Sequence, residues 1–216
     1  MSTFPVSRGS GLSRRRVLWL GGAAVVMSAL QTGCDAPSSG GGSGASFKGI
    51  DITGADYART LSLTDQNGQT RTLADFKGKV IVVFFGFTQC PDVCPTTMAE
   101  LAQVKASLGK DGDRIQGVFV TVDPERDTAA VLKTYMGGFD PSFVALRGSP
   151  EDIAATAKEF KVFYAKVPGK TEGSYSVDHT AGSYVFDTQG KVRLFVRYGG
   201  GAEALAADLK TLLAAG

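Results

Sequence analysis

Residues Val80 to Phe87, "VIVVFFGF", constrain the fold more than any other stretch of the chain. Apart from Gly86 the run is entirely apolar and rich in β-branched side chains, with no polar alternation. It is too short to be a helix of ordinary length, and it reads as a strand buried on both faces of a sheet. Such a strand needs neighbours in the sheet and cover above and below. "IQGVFVTVD", from Ile115, supplies a second strand of the same kind. Between them, "TTMAELAQVKASLG" places Met98, Leu101, Val104 and Leu108 at helical spacing, and Gly109 stops the helix. Strands alternating with helices in this order argue for a mixed sheet covered on both faces.

The flanking segments extend the pattern. "RTLSLTDQNGQTRTL" predicts a hairpin turning at Asn67-Gly68. "DTAAVLKTYMGGF" predicts a short helix with Asp127 and Thr128 as candidate caps. "SPEDIAATAKEF" predicts another, with Ser149 as N-cap, Pro150 at the first position and acids in the first turn. "GSYVFDTQGKVRLFVRY" reads as a second hairpin and "AEALAADLKTLLAAG" as a closing amphipathic helix. The fold class expected is α/β, a central mixed sheet flanked by helices. The element order resembles a thioredoxin-like fold with an added N-terminal β-hairpin.

The N-terminal region reads differently. Residues 1–33 carry Arg8, Arg14, Arg15 and Arg16 and no acid, followed by an apolar run from Val17 to Leu30. That run is shorter than a membrane span prefers and predicts a signal peptide. Ser13-Arg14-Arg15-Arg16-Val17-Leu18 resembles a twin-arginine export motif. "LQTGC", ending at Cys34, resembles a bacterial lipobox, with Gln31 where the pattern has an aliphatic residue. Cys34 is therefore the expected lipidation site. Residues 35–46, "DAPSSGGGSGAS", follow as a flexible linker, and the folded domain is expected over 47–216. This organisation predicts a lipid-anchored protein on the periplasmic side of the bacterial cytoplasmic membrane. Of 23 Lys and Arg, removing the four arginines of the leader leaves 19 against 21 Asp and Glu, a net charge of −2. A nearly neutral domain gives no reason to expect a nucleic-acid partner.

The expected domain has two cysteines, Cys90 and Cys94 in "TQCPDVCPTT", and the chain has one histidine, His179. Pro95 fits the first turn of the following helix, so the pair sits at a helix N-terminal end, where thiolate is favoured. The pair can close a disulfide or share a soft metal, and its spacing does not decide between them. In a thioredoxin-like domain the loop entering the strand at Ser183 faces the dithiol, and Asp178-His179-Thr180 stands there. Two thiolates and an imidazole suit Cu(I), and Cu(II) with a further weak ligand. Structural zinc requires a fourth ligand, which only a carboxylate such as Asp123 or Asp178 could add. Asp123 has a second reading, as the turn that leads off its strand with Pro124. Phe84, Phe85 and Phe87 are expected as core and rim packing.

"FGFTQCPDVCPTTMAEL", "VTVDPERDT" and "YSVDHTAGSYVFD" together resemble the Sco/SenC family of copper proteins. The resemblance runs from about Val80 to Phe186, with Gln89 where the common family form has a His. It implies a membrane-anchored thioredoxin-like domain that binds one copper through Cys90, Cys94 and His179. It also implies a role in assembling the dinuclear copper centre of cytochrome c oxidase. Subunit II of the oxidase, another copper-oxidase client and other copper chaperones are the partners expected. The alternative is an enzyme: a thiol–disulfide oxidoreductase in which Cys90 and Cys94 are the catalytic redox pair, keeping the client's copper-ligand cysteines reduced. A peroxiredoxin is disfavoured, because Thr88 stands two residues before Cys90 where that pattern needs three.

Overall fold

In the computed structural model, which describes residues 46–216, the two apolar runs are neighbouring central strands of one sheet. The expected signal peptide, Cys34 and nearly all of the Gly/Ser linker lie outside the described residues. The chain begins with β1 (Ile50–Asp51) and a hairpin of β2 (Ser62–Asp65) and β3 (Thr70–Thr72). Next come β4 (Val80–Gly86), α1 (Val93–Ser107), β5 (Ile115–Thr121), α2 (Ala129–Gly137), β6 (Val144–Arg147) and α3 (Pro150–Glu159). A second, separate hairpin is built from β7 (Tyr164–Pro168) and β8 (Tyr175–His179). The chain closes with β9 (Gly182–Phe186), β10 (Val192–Arg197) and α4 (Ala202–Ala214).

The sheet order is β1-β10-β9-β4-β5-β6-β2-β3. β4, β5 and β6 are parallel, and β9 and β10 add antiparallel strands on the other side of β4. Every residue of β4 and β5 is buried, as a strand covered on both faces requires. Phe84, Phe85, Phe119, Phe143, Phe160 and Phe186 are the largest fully buried side chains.

The predicted hairpin at Asn67-Gly68 forms, with Leu63 opposite Arg71 and Gly68 at φ +83°. Ser149 and Asp152 make a reciprocal capping box on α3, with Pro150 in the first turn. Thr128 caps α2 by accepting from the Val131 N–H. Asp127 does not share that role. It is fully buried and accepts from the Thr88 N–H at 3.1 Å, the Thr88 hydroxyl at 2.6 Å and the Thr121 hydroxyl at 2.6 Å. Its carboxylate ties the loop after β4 to the end of β5, accepting from the buried Thr121 hydroxyl and from the partly buried hydroxyl and amide of Thr88.

β6 and the β7–β8 hairpin add to the elements expected from the sequence. β6 is only four residues long, so it shows little alternation. β7–β8 forms its own two-stranded sheet, paired from Tyr164 opposite His179 to Pro168 opposite Tyr175. Of its ten residues only Val177 is buried, so it lacks the apolar signal of a core strand. Among the described residues, no helix is long and apolar enough to cross a membrane.

Candidate metal centre

β4 ends at Gly86 and hands the chain to a short loop carrying Cys90, from which α1 starts at Val93. Cys94 is thus the second residue of the helix, and its backbone N–H points at Cys90 Sγ, 3.4 Å away. Both thiols are free. Cys90 is half-buried and Cys94 fully buried. Gly86 is what lets Cys94 in: a Cβ at that position would lie 2.8 Å from Cys94 Sγ.

His179 is the last residue of β8, not part of the loop that the sequence predicts ahead of the strand at Ser183. It stands three residues ahead of β9, the strand beside β4, so the chain's path sets it over the start of α1. The ring packs edge-on between two buried phenylalanines, Phe84 at 5.8 Å and Phe87 at 6.0 Å between centroids. The third expected packing residue, Phe85, stacks in the core against Phe160 and Tyr184.

Nδ1 of His179 lies 3.2 Å from the Thr180 carbonyl oxygen. A carbonyl only accepts, so Nδ1 carries the proton and Nε2 keeps its lone pair. That lone pair is 3.4 Å from Cys94 Sγ. Burial among the rings pushes the imidazole's pKa below its ordinary value, so it is neutral at neutral pH. Burial likewise pushes the Cys94 thiol well above the ordinary thiol range, with the nearby Cys90 side chain adding to the rise. The helix end therefore does not make Cys94 a standing thiolate, as its sequence position suggests; desolvation outweighs it.

The two sulfurs and the imidazole nitrogen all lie within 4.8 Å of one another. A first-row ion about 2.0–2.3 Å from nitrogen and sulfur donors, as in zinc sites, holds such donors about 3.5–4 Å apart. The set is thus close to coordination distance before any ion enters. A carboxylate does not complete it. Among the described residues the ligand cluster holds Cys90, Cys94 and His179 alone. Asp178 is exposed and alternates with His179 along β8. Asp123 is buried, with one oxygen accepting from the Tyr175 hydroxyl at 2.8 Å and the other from Arg126.

Sequence reasoning gave no role to Arg126 or Tyr175. Both lie inside the family-like stretches "VTVDPERDT" and "YSVDHTAGSYVFD", but the partners that define them come from three separate segments, which the sequence does not pair.

A thioredoxin-like domain with a soft three-donor cluster at the first turn of its crossover helix is the class that fold and site define. The SCO1/SenC family model matches residues 51–214, and the chain belongs to that family. The SCO2-like protein of Rickettsia felis is 41% identical over 132 residues, 61% of this chain and 64% of that protein. The chain thus aligns with less than two thirds of that relative's length. The structure of Bradyrhizobium japonicum ScoI with copper bound is 43% identical, with a TM-score of 0.65 over 71% of this chain and 97% of that one. BsSco, described by a disulfide switch and as a member of the Sco family of cytochrome c oxidase assembly proteins, is 25% identical. Its TM-score is 0.57, over 76% of this chain and 98% of that one.

Proposed function

We propose that this protein is a copper metallochaperone. It binds one copper ion through Cys90 Sγ, Cys94 Sγ and His179 Nε2 and supplies it to the dinuclear copper centre of cytochrome c oxidase subunit II. The observation that carries this reading is the approach of two thiols and one pre-oriented imidazole to within 4.8 Å of one another. Family membership and the copper-bound relative support the choice of metal. The donor set supports it independently, because two sulfurs and a nitrogen satisfy Cu(I) without a fourth ligand. Copper here is cargo, and a half-exposed Cys90 gives an incoming ligand a way to reach it.

Export, lipidation at Cys34 and tethering through the residue 35–46 linker on the periplasmic side belong to the same proposal. They place the site where an oxidase subunit presents its copper ligands. Intact-mass analysis of membrane-extracted protein tests this part: the expected product starts at a lipid-modified Cys34, and an unmodified Cys34 contradicts it.

One observation favours a second reading, reduction of the client's cysteines. Cys90 is half-exposed and Cys94 is buried immediately behind it, the arrangement of an attacking and a resolving thiol. Cys90 thiolate attacks the client disulfide and forms a mixed disulfide. Cys94 then displaces the client thiol, leaving a Cys90–Cys94 disulfide and a client dithiol; two electrons pass to the client. Mixing the copper-loaded protein with the reduced apo soluble domain of subunit II separates the readings. The metallochaperone transfers copper and builds the dinuclear centre. A protein that only reduces an oxidised client, and passes no copper to a reduced one, is the reductase.

A further inference from the structure

The β7–β8 hairpin is not hydrogen-bonded to the main sheet, yet its last residue is His179. Its link to β9 lies at the His179 end, so the far end of the hairpin needs a hold of its own. On β8, Tyr175, Val177 and His179 alternate with exposed residues, so all three face the body of the domain. Val177 is buried, His179 meets Cys94, and Tyr175 lies at the far end, about 13 Å along the strand from His179.

Arg126, in the loop between β5 and α2, holds that far end. Its guanidinium stacks 3.7 Å from the Tyr175 ring, and one nitrogen donates to the Tyr175 carbonyl at 2.9 Å. The same nitrogen donates to Oε1 of Gln89, the residue before Cys90, at 3.1 Å. Arg126 also pairs with the buried Asp123, which accepts from the Tyr175 hydroxyl. Another guanidinium nitrogen, Nη2, is buried with no hydrogen-bond partner. The ring faces of Tyr175 and Phe87 flank the guanidinium and are the environment that tolerates it there. One planar, always-charged fork thus touches the cysteine loop, the histidine hairpin and the loop from β5, and a lysine could not make those contacts together.

We propose that Arg126 and Tyr175 form a positioning clasp that sets the register of the His179 hairpin over the dithiol, and so sets how firmly the imidazole holds the metal. The inference rests on the ligand set proposed above. Neither residue is a ligand, and each acts through His179. A loosened hairpin leaves both sulfurs in place and lets the nitrogen drift.

The test is a double-mutant cycle on the full-length reduced protein, read by anaerobic copper titration and by the nitrogen hyperfine structure of bound Cu(II). Tyr175→Leu removes the stacked ring and leaves the Asp123–Arg126 pair intact. It is expected to weaken copper binding by about tenfold and to diminish the nitrogen signal; in a His179→Ala background it is expected to change nothing further. Tyr175→Phe, which keeps the ring over the guanidinium, should restore most of the affinity. Arg126→Lys, folded as judged by cooperative thermal unfolding, should behave like Tyr175→Leu. An equal loss in both backgrounds means the effect does not pass through His179 and overturns the clasp. So does wild-type affinity and nitrogen signal in Tyr175→Leu. If His179→Ala alone matches the wild type, the proposed ligand set fails, and the clasp, which acts only through that ligand, is overturned with it.

Discussion

At the scale of single residues, the site depends on what burial does to protonation and on how little room there is. Gly86 has no side chain, and Cys94 Sγ and two phenylalanine rings fill the place a Cβ would take. Gly86→Ala should cost about 1–3 kcal/mol of stability by overpacking and shift the spectrum of bound copper as Cys94 is displaced. Urea denaturation and visible absorption check this. The cysteines stood out in the sequence, but the state of their protons did not. Helix position argues for thiolate at Cys94, whereas desolvation decides against it: the sulfur is fully buried, in the space that Gly86 leaves open. Copper held by Cys94, as proposed, must therefore displace its proton. At neutral pH loading should release at least one proton per ion and strengthen as pH rises, measured by titration in weakly buffered solution. His179 adds a second pH effect. Its folded pKa lies below the ordinary value of 6.5, so as pH falls from there the unfolded chain protonates first. Stability of the metal-free protein should then decline below about pH 6.5, and stop declining through this group once the folded imidazole itself titrates. His179→Ala should lack that component of the pH dependence.

At the scale of elements, legibility followed apolar content and local partners. β4, β5, α1 and α3 were readable because their burial or caps are written in contiguous residues such as Val80–Phe87 and Ser149–Asp152. The β7–β8 hairpin was not, since ten residues carry one buried side chain and the loop between them is polar. The alternation of Tyr175, Val177 and His179 was the available signal. Asp127 misled for a related reason. It stands where a helix cap belongs, next to Thr128, and its true partners, Thr88 and Thr121, are remote or in another element. Asp127→Ala should leave the buried Thr121 hydroxyl and the partly buried hydroxyl and amide of Thr88 short of an acceptor. A loss of about 2–3 kcal/mol is expected, against a smaller one for Asp127→Asn, read from the urea midpoint at constant slope.

At the scale of the whole molecule, the described region closes on itself from its first residues. Asp208 of α4, buried, accepts from the backbone N–H groups of Lys48 and Gly49, each at 2.7 Å, and β1 pairs with β10 just beyond. A chain starting at residue 46 should therefore unfold cooperatively, as followed by calorimetry, and loss of that transition would show that the preceding segment is needed. Asp208→Ala in the same protein should lower the midpoint by freeing the start of the chain. The sheet brings the cysteine pair and the sequence-distant His179 together: β4 delivers the cysteine loop, and β9, its antiparallel neighbour, fixes where the chain that carries His179 arrives.

The central claim is that these three side chains form one copper site. Anaerobic copper titration of the reduced protein and its variants tests it most directly. One ion per chain is expected. His179→Ala should bind copper more weakly, with an altered spectrum, while its Cys90–Cys94 pair can still be oxidised. Cys90→Ser and Cys94→Ser should each abolish tight binding. A His179→Ala protein that binds copper with unchanged affinity and spectrum would contradict the account.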